Sequence, residues 1–338
     1  KYIYIFIYIY MEINKIIIWG HELHDHTHSY IHNGFYIAFK HLGYEIYWLS
    51  DKEENTKLMN FDNCLILNHG LVSKYLPISK KSIYLLHNIH LISFNNNSDE
   101  KIPGKYYKSM EYGIPKKNIV MFQVYSKDCI NRDKSDEKLL FHYYMELPCQ
   151  IIYFPWATDL LPEQIQKNID NLDNISKNRT NEINFVGMMT DKWVKIAKYC
   201  KENNIKFHNY GGTFDKNSIK NRTIKENELL IQKSLIAPAI QTDFQKNIQY
   251  IPCRIFKNIS YGKMGITNNE CVNRLFNNKL IYSDNIEGLM NKAIKFENNP
   301  NKINIIKELM IEVKENHTYI NRIQYIFNYI KINLNVSI

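Results

Sequence analysis

The stretch Ile251-Pro252-Cys253-Arg254-Ile255-Phe256-Lys257-Asn258-Ile259-Ser260-Tyr261-Gly262-Lys263, followed by Met264-Gly265-Ile266-Thr267-Asn268-Asn269, decides the reading of the fold. A short helix opens near Pro252, which lacks the N–H that a first helical turn leaves unpaired. Gly262 breaks that helix, and the apolar-to-polar step after it predicts a buried strand. Arg254 and Lys257 stand three residues apart and so share one helix face. Cations beside the free N–H groups of a helix start suit a phosphate.

Working outward from this segment, short apolar runs alternate with helical stretches. Strands are predicted at 15–19, 45–49, 64–67, 83–86 and 119–124, with a helix over 30–42 in which Ile31, Phe35, Ala38 and Leu42 recur at helical spacing. The segment 155–180 is polar and Asn-rich and reads as an interdomain hinge with little to bury. A second series then begins at 183–187, with helices over 193–202 and 226–233, strands at 206–210 and 235–240, then a strand at 279–283 and a helix over 287–296. Amphipathic helices close the chain. Strands alternating with helices imply parallel sheets. The expectation is therefore α/β: two Rossmann-like domains with parallel sheets facing a cleft. The first spans 11–160 and the second 181–300, with helices over 301–338 packing back towards the first.

Composition bounds the class. At 338 residues, 45% hydrophobic and 23% charged, the chain is globular and long enough for two domains. The formal charge of +9 goes with heavy use of Lys, Asn, Ile and Tyr, and is read as coding bias; no nucleic-acid partner is expected. Six scattered cysteines without a C-x-x-C pair argue for reduced thiols and a cytoplasmic location. The apolar run 1–10 is too short to span a bilayer, so no stable membrane insertion is expected. It reads as upstream sequence, with Met11 as the natural start.

In a doubly wound sheet, ligands sit beyond the carboxyl ends of the strands. After the first strand come Gly20, His21, His24, Asp25, His26 and His28; after the third, His69; after the fourth, His87, Asn88 and His90. These positions hold seven of the 12 histidines, which marks a site. Imidazole titrates near neutral pH, so His24, Asp25 or His87 suits removal of a proton from an attacking hydroxyl. Gly20, His21, His28, His69 and Asn88 would line the acceptor side. A metal held by the alternate residues His24, His26 and His28 is a second reading, and hydrogen-bonding loop histidines a third; no metal is expected.

In the second half, Gly187 follows a strand directly, where a missing Cβ admits a diphosphate or simply allows a turn. Lys192 can reach a phosphate or stand in solvent. Gln241 leaves the strand ending at Ile240, towards a nucleobase or as surface loop. A guanidinium at Arg254 would stabilise a departing diphosphate and cannot deprotonate.

The order of pieces around Arg254 resembles the donor segment of GT-B glycosyltransferases, whose commoner form runs R-x-F-E-A-x-A-x-G before a strand. Weaker parts of the resemblance are the strand and glycine at 16–20, the segment 38–45, Pro155-Trp156-Ala157-Thr158-Asp159, and Phe185-Val186-Gly187. It implies transfer of a sugar from a nucleotide-diphosphate sugar to a glycan or other hydroxyl acceptor by a metal-independent, hexosyltransferase-like enzyme with no cofactor. The donor would be held by Gly187, Gln241, Arg254, Lys257, Asn258, Tyr261 and Gly262. A histidine after the fourth strand is frequent in such enzymes, and His87 is similar in placement. Many retaining members carry two glutamates eight positions apart; Gln249 and Lys257 stand there in this chain. That departure leaves the stereochemical outcome open and keeps a non-catalytic nucleotide-sugar-binding protein as an alternative. A metal-dependent hydrolase is the other.

Overall fold

Lys15–Trp19 pairs with Ile46–Leu49 on one side and Cys64–His69 on the other, all parallel. The sheet continues through Ile83–His87 and Ile119–Gln123 to Gln150–Tyr153, giving six parallel strands. These belong to a computed structural model that describes residues 11–69, 73–87, 92–94, 101–103, 113–123, 150–211, 222–247 and 249–337. Strand order reverses at the first strand, because the second and third lie on opposite sides of it. A crevice forms where the connections depart in opposite directions. The loop after Trp19 and the strand end at His69 flank that crevice.

Period-two alternation divides the strand residues between two faces. Ile16, Ile18, Leu65, Leu67, Leu85 and Phe122 pack against Phe35 and Phe39 of the helix Thr27–His41. Ile17, Trp19, Ile66, Tyr84 and Met121 pack on the opposite face with Phe61, Leu76 and Ile114. Both faces are covered, so the strands read as nearly continuous apolar runs. The helix begins at Thr27, three residues before the expected start, with His26 as its N-cap.

The second half is less regular. Glu182–Phe185 pairs in parallel with Lys206–Asn209, and Ile266–Thr267 with Ile281–Tyr282. The strand expected over 235–240 is reduced to a bridge between Ala239 and Thr267, as Pro238 removes a ladder donor. Helices Asp191–Glu202, Ile224–Lys233, Cys253–Ser260, Ile286–Phe296 and Lys302–Asn316 enclose one core containing Phe185, Trp193, Ile255, Phe256, Met290 and Ile306.

The hinge expectation for 155–180 is corrected. That segment forms the helices Pro162–Asp170 and Leu172–Lys177, whose Ile165, Ile169, Leu172 and Ile175 are buried. Those four residues recur at helical spacing among asparagines, and Pro162 sits where a helix tolerates it.

Two chain segments cross side by side between the halves. Thr158 bridges Thr318, and Thr158 N donates to His317 O at 3.0 Å. Arg322 staples this crossing: Nε donates to Pro155 O (2.7 Å), Nη1 to Asn316 O (3.0 Å) and Nη2 to Trp156 O (3.0 Å). A guanidinium has five donors in a fixed fork, which suits it to several carbonyls at once. Beyond the crossing, Tyr319–Leu334 places Tyr319, Ile323, Ile326 and Ile330 in the first half's core. Gly34 makes this possible, since a Cβ there would meet the Tyr319 ring at 2.2 Å. Among the described residues no helix is long and apolar enough to cross a membrane.

Candidate active site

The crevice at the sheet's switch point is lined with imidazoles. His21 Nε2 lies 3.1 Å from His69 Nδ1, and His26 Nδ1 lies 3.1 Å from His28 Nδ1. His28 and His69 approach to 4.1 Å between ring centroids, and each lies about 5 Å from His87, at 5.2 and 5.1 Å. The sequence reading missed His32, whose Nε2 sits 2.9 Å from His87 Nε2. The spacing of His28 and His32, four apart on one helix face, was the available signal.

Burial governs the charge state of this group. His87 is fully enclosed, and burial first, then the neighbouring imidazoles, hold it well below the ordinary histidine range. His32 is pushed down to about 3, chiefly by burial. His21 and His26 are lowered too, again with burial as the leading cause. A charged imidazole is costly in such surroundings, so these rings are neutral at pH 7. His87 therefore lies behind the wall of the crevice rather than on its surface, packed against Phe122 and Trp156. Asn88 and His90 lie outside the described residues.

His24 stands apart from the cluster. Its Nδ1 lies 3.2 Å from Tyr30 Oη, and its backbone takes φ 75°, as His21 takes 46°. A non-glycine residue held left-handed is strained, and such strain concentrates at functional sites. Lys257 and Arg222 of the second half act on Tyr30 to lower its pKa, although burial, the larger effect, leaves it raised. Tyr30 thus lies within electrostatic reach of Lys257 and Arg222. Asp25 lies near enough to His21 to act on its charge.

Across the crevice, the helix Cys253–Ser260 begins at Pro252, which offers no side-chain cap to the first N–H groups. Arg254 Nη1 donates to Val186 O at 2.7 Å, and its guanidinium lies 4.8 Å from the centroid of the Phe185 ring. Among the described residues no carboxylate pairs with it. Gly187 has φ 153°, and a Cβ there would meet Arg254 Nη2 at 2.3 Å. The glycine is therefore what admits the arginine to the end of its strand.

The other expected donor contacts have tasks inside the protein. Lys257 Nζ lies 2.8 Å from Asp159 Oδ2. Burial works to lower the Lys257 ammonium, but the Asp159 carboxylate more than offsets it and holds it above its ordinary value. The Tyr261 hydroxyl donates to the same carboxylate at 2.7 Å. Asn258 Nδ2 donates to Ala237 O (2.7 Å), Gln241 Nε2 to Tyr250 O (2.6 Å), and Gly262 O accepts from Arg179 (3.0 Å). Lys192 pairs with Asp243 at 2.9 Å.

Trp156 joins the two sides. Its ring meets His87 edge-on at 5.5 Å, and its Nε1 donates at 2.8 Å to the hydroxyl of Tyr250, four residues before Arg254. The histidine wall and the arginine helix thus share one continuous packing unit.

Comparison with solved structures gives the fold a precedent. The chain is similar to an alpha-glucosyltransferase in complex with UDP and a 13-mer DNA containing an HMU base, at 10% identity and a TM-score of 0.53, covering 92% of this chain and 98% of that one. A second structure, alpha-glucosyltransferase in complex with UDP, matches at the same identity, coverage and TM-score, 10%, 92% and 98%, and 0.53. No family model matches the chain, and no curated protein matches it in sequence. The chain has the GT-B fold that its sequence resembles. The exclusion of nucleic acid from its partners is corrected, because a solved protein of this same fold is held with DNA. Overuse of lysine had concealed that possibility, since an anionic partner and a biased composition leave the same net charge.

Proposed function

We propose that this protein transfers a sugar from a nucleotide-diphosphate sugar, with uridine as the base, to a hydroxyl group carried on a nucleic acid. The unpaired guanidinium of Arg254, set at a glycine strand end beside an uncapped helix start, carries the reading. Support for the base and the acceptor comes from the two solved neighbours, one with UDP alone and one with UDP and DNA. A net charge of +9 suits a polyanionic acceptor.

In the step, the acceptor oxygen bonds to the anomeric carbon as the bond from that carbon to the β-phosphate oxygen breaks. The leaving diphosphate gains negative charge while the sugar becomes cationic in character. Arg254 meets the departing charge, with the N–H groups of the helix Cys253–Ser260 beside it. The acceptor's proton passes to His24 or Asp25, which lie in the loop before the helix Thr27–His41. His87 supports the wall behind them, since its burial removes it from any entering hydroxyl.

Titration calorimetry with UDP tests the donor half. Arg254→Ala removes a charge-assisted contact of about 1.5–3 kcal/mol and lowers UDP affinity tenfold or more, with circular dichroism unchanged. Equal UDP affinity in the variant refutes the assignment.

A further inference from the structure

The histidine cluster does more than line a wall. We infer that His28, His69 and His87 bind a zinc-class divalent transition metal, with His21 or His26 completing a four-coordinate set.

The geometry is that of a shared site. One ring nitrogen from each of His28, His69 and His87 lies within 4.8 Å of the others, and His21, His26 and His28 form a second such group. His28 belongs to both. Zinc–imidazole bonds of 2.0–2.1 Å arranged as a tetrahedron place ligand nitrogens about 3.4 Å apart. The 3.1 Å separations of His21 from His69 and of His26 from His28 are close to that.

The donors come from separate, rigid elements. His69 and His87 end adjacent strands and are direct register partners. His28 lies in the first turn of the helix Thr27–His41. An ion there would tie together two strand ends and the strained 20–26 loop. His87 supplies an independent sign. Its Nε2 is taken by His32, while its Nδ1 is a buried nitrogen with no hydrogen-bond partner. Orphaned buried polar atoms are rare, and a bound ion is one of the explanations they call for. The shell behind His87 is aromatic, with Phe122 and Trp156 against its ring. Imidazole donors without a carboxylate among them select zinc, copper, nickel or iron over magnesium and calcium.

This reverses the sequence expectation of no metal, and it also changes the ligand set weighed there. Alternate residues 24, 26 and 28 do not act together, because His24 turns to Tyr30. His69 and His87 enter from neighbouring strands instead. The site stands independently of sugar transfer, since its imidazoles need neither the sugar donor nor the acceptor to hold an ion.

Untagged protein stripped with a chelator is titrated with cobalt(II) and, by competition with a chromophoric chelator, with zinc. One equivalent binds, and cobalt gives the intense visible bands of four-coordinate nitrogen ligation. His28→Ala and His69→Ala each weaken zinc binding about a hundredfold or more, whereas His24→Ala leaves it unchanged. Zinc also raises the melting temperature of the wild-type chain, a readout that needs no variant to fold. Absence of stoichiometric binding, absence of that melting shift, or binding retained in His28→Ala overturns the site.

Discussion

The two halves of this molecule bury polar groups in opposite ways. In the first half, the buried polar side chains behind the crevice are neutral: His32 on the helix and His87 at a strand end are enclosed, held uncharged by burial, and they bond to each other. In the second half, several charged groups are buried in pairs. Arg179 lies 2.7 Å from Glu297, which also meets Lys302 at 3.2 Å, and Lys257 meets Asp159 at 2.8 Å. Lys263 and Arg254 have no carboxylate partner among the described residues: Lys263 is fully buried with its Nζ on Ser234 O, and Arg254 is half-buried at the crevice. The contrast fits the proposed place of the anionic donor, because Arg254 is a cation without a carboxylate partner that reaches the crevice. The neutral imidazole wall has no such charge and suits an ion or a hydroxyl instead.

If the second half depends on paired charge, breaking a pair should cost more than any change at the surface. Asp159→Ala strands the Lys257 ammonium and leaves the Tyr261 hydroxyl without its acceptor. The expected loss is about 3–5 kcal/mol in urea unfolding. A loss below about 1 kcal/mol would mean the pair is solvated, and the contrast between the halves would fail.

His317 sharpens the comparison, as a neutral histidine embedded in the charged half. Burial first, and Arg322 second, push it down to about 3, and Arg322 Nη2 lies 3.1 Å from its Nδ1. Its folded pKa is below the unfolded 6.5, so the unfolded state binds the extra proton between those values. Stability from this group is complete above about pH 6.5 and is lost as pH falls towards 3. Between pH 6.5 and pH 5 the loss is about 2 kcal/mol. Unfolding of His317→Gln lacks this component, so the wild type should lose that much more than the variant over the same interval. Parallel pH profiles would show that the ring is solvated.

The smallest effect belongs to an exposed pair. Lys198 and Glu202 stand 3.8 Å apart, four residues apart on a helix, with side chains 76% and 59% exposed. Lys198→Ala should change stability by about 0.5 kcal/mol or less. A larger change would blur the distinction between buried and surface charge on which the comparison rests.

Most of the first half was legible in the chain because its strands are buried on both faces and read as unbroken apolar runs. Five of the sheet's six strands follow from that pattern, whereas the edge strand Gln150–Tyr153 was not foreseen. The hinge was misread because asparagines separate Ile165, Ile169, Leu172 and Ile175, and composition outweighed their spacing. The broken second sheet was hidden by strands of two residues, too short for any period. Arg254 was visible through its motif, but the carboxylate that engages Lys257 lies far away in sequence, at Asp159. His32 was missed for a related reason. Its neighbours Ile31 and Phe35 marked a core helix, and only the topology brings His87 against it.

The central claim is sugar transfer, and product analysis tests it most directly. Wild-type protein is incubated with a uridine-diphosphate sugar and a DNA duplex carrying a hydroxymethylated pyrimidine, and the nucleosides are then digested and weighed by mass spectrometry. The account predicts a nucleoside heavier by one sugar residue, equimolar UDP release, and loss of both in Arg254→Ala. Tight UDP binding with no sugar on the DNA and no UDP released would contradict it and would leave a nucleotide-binding protein in its place.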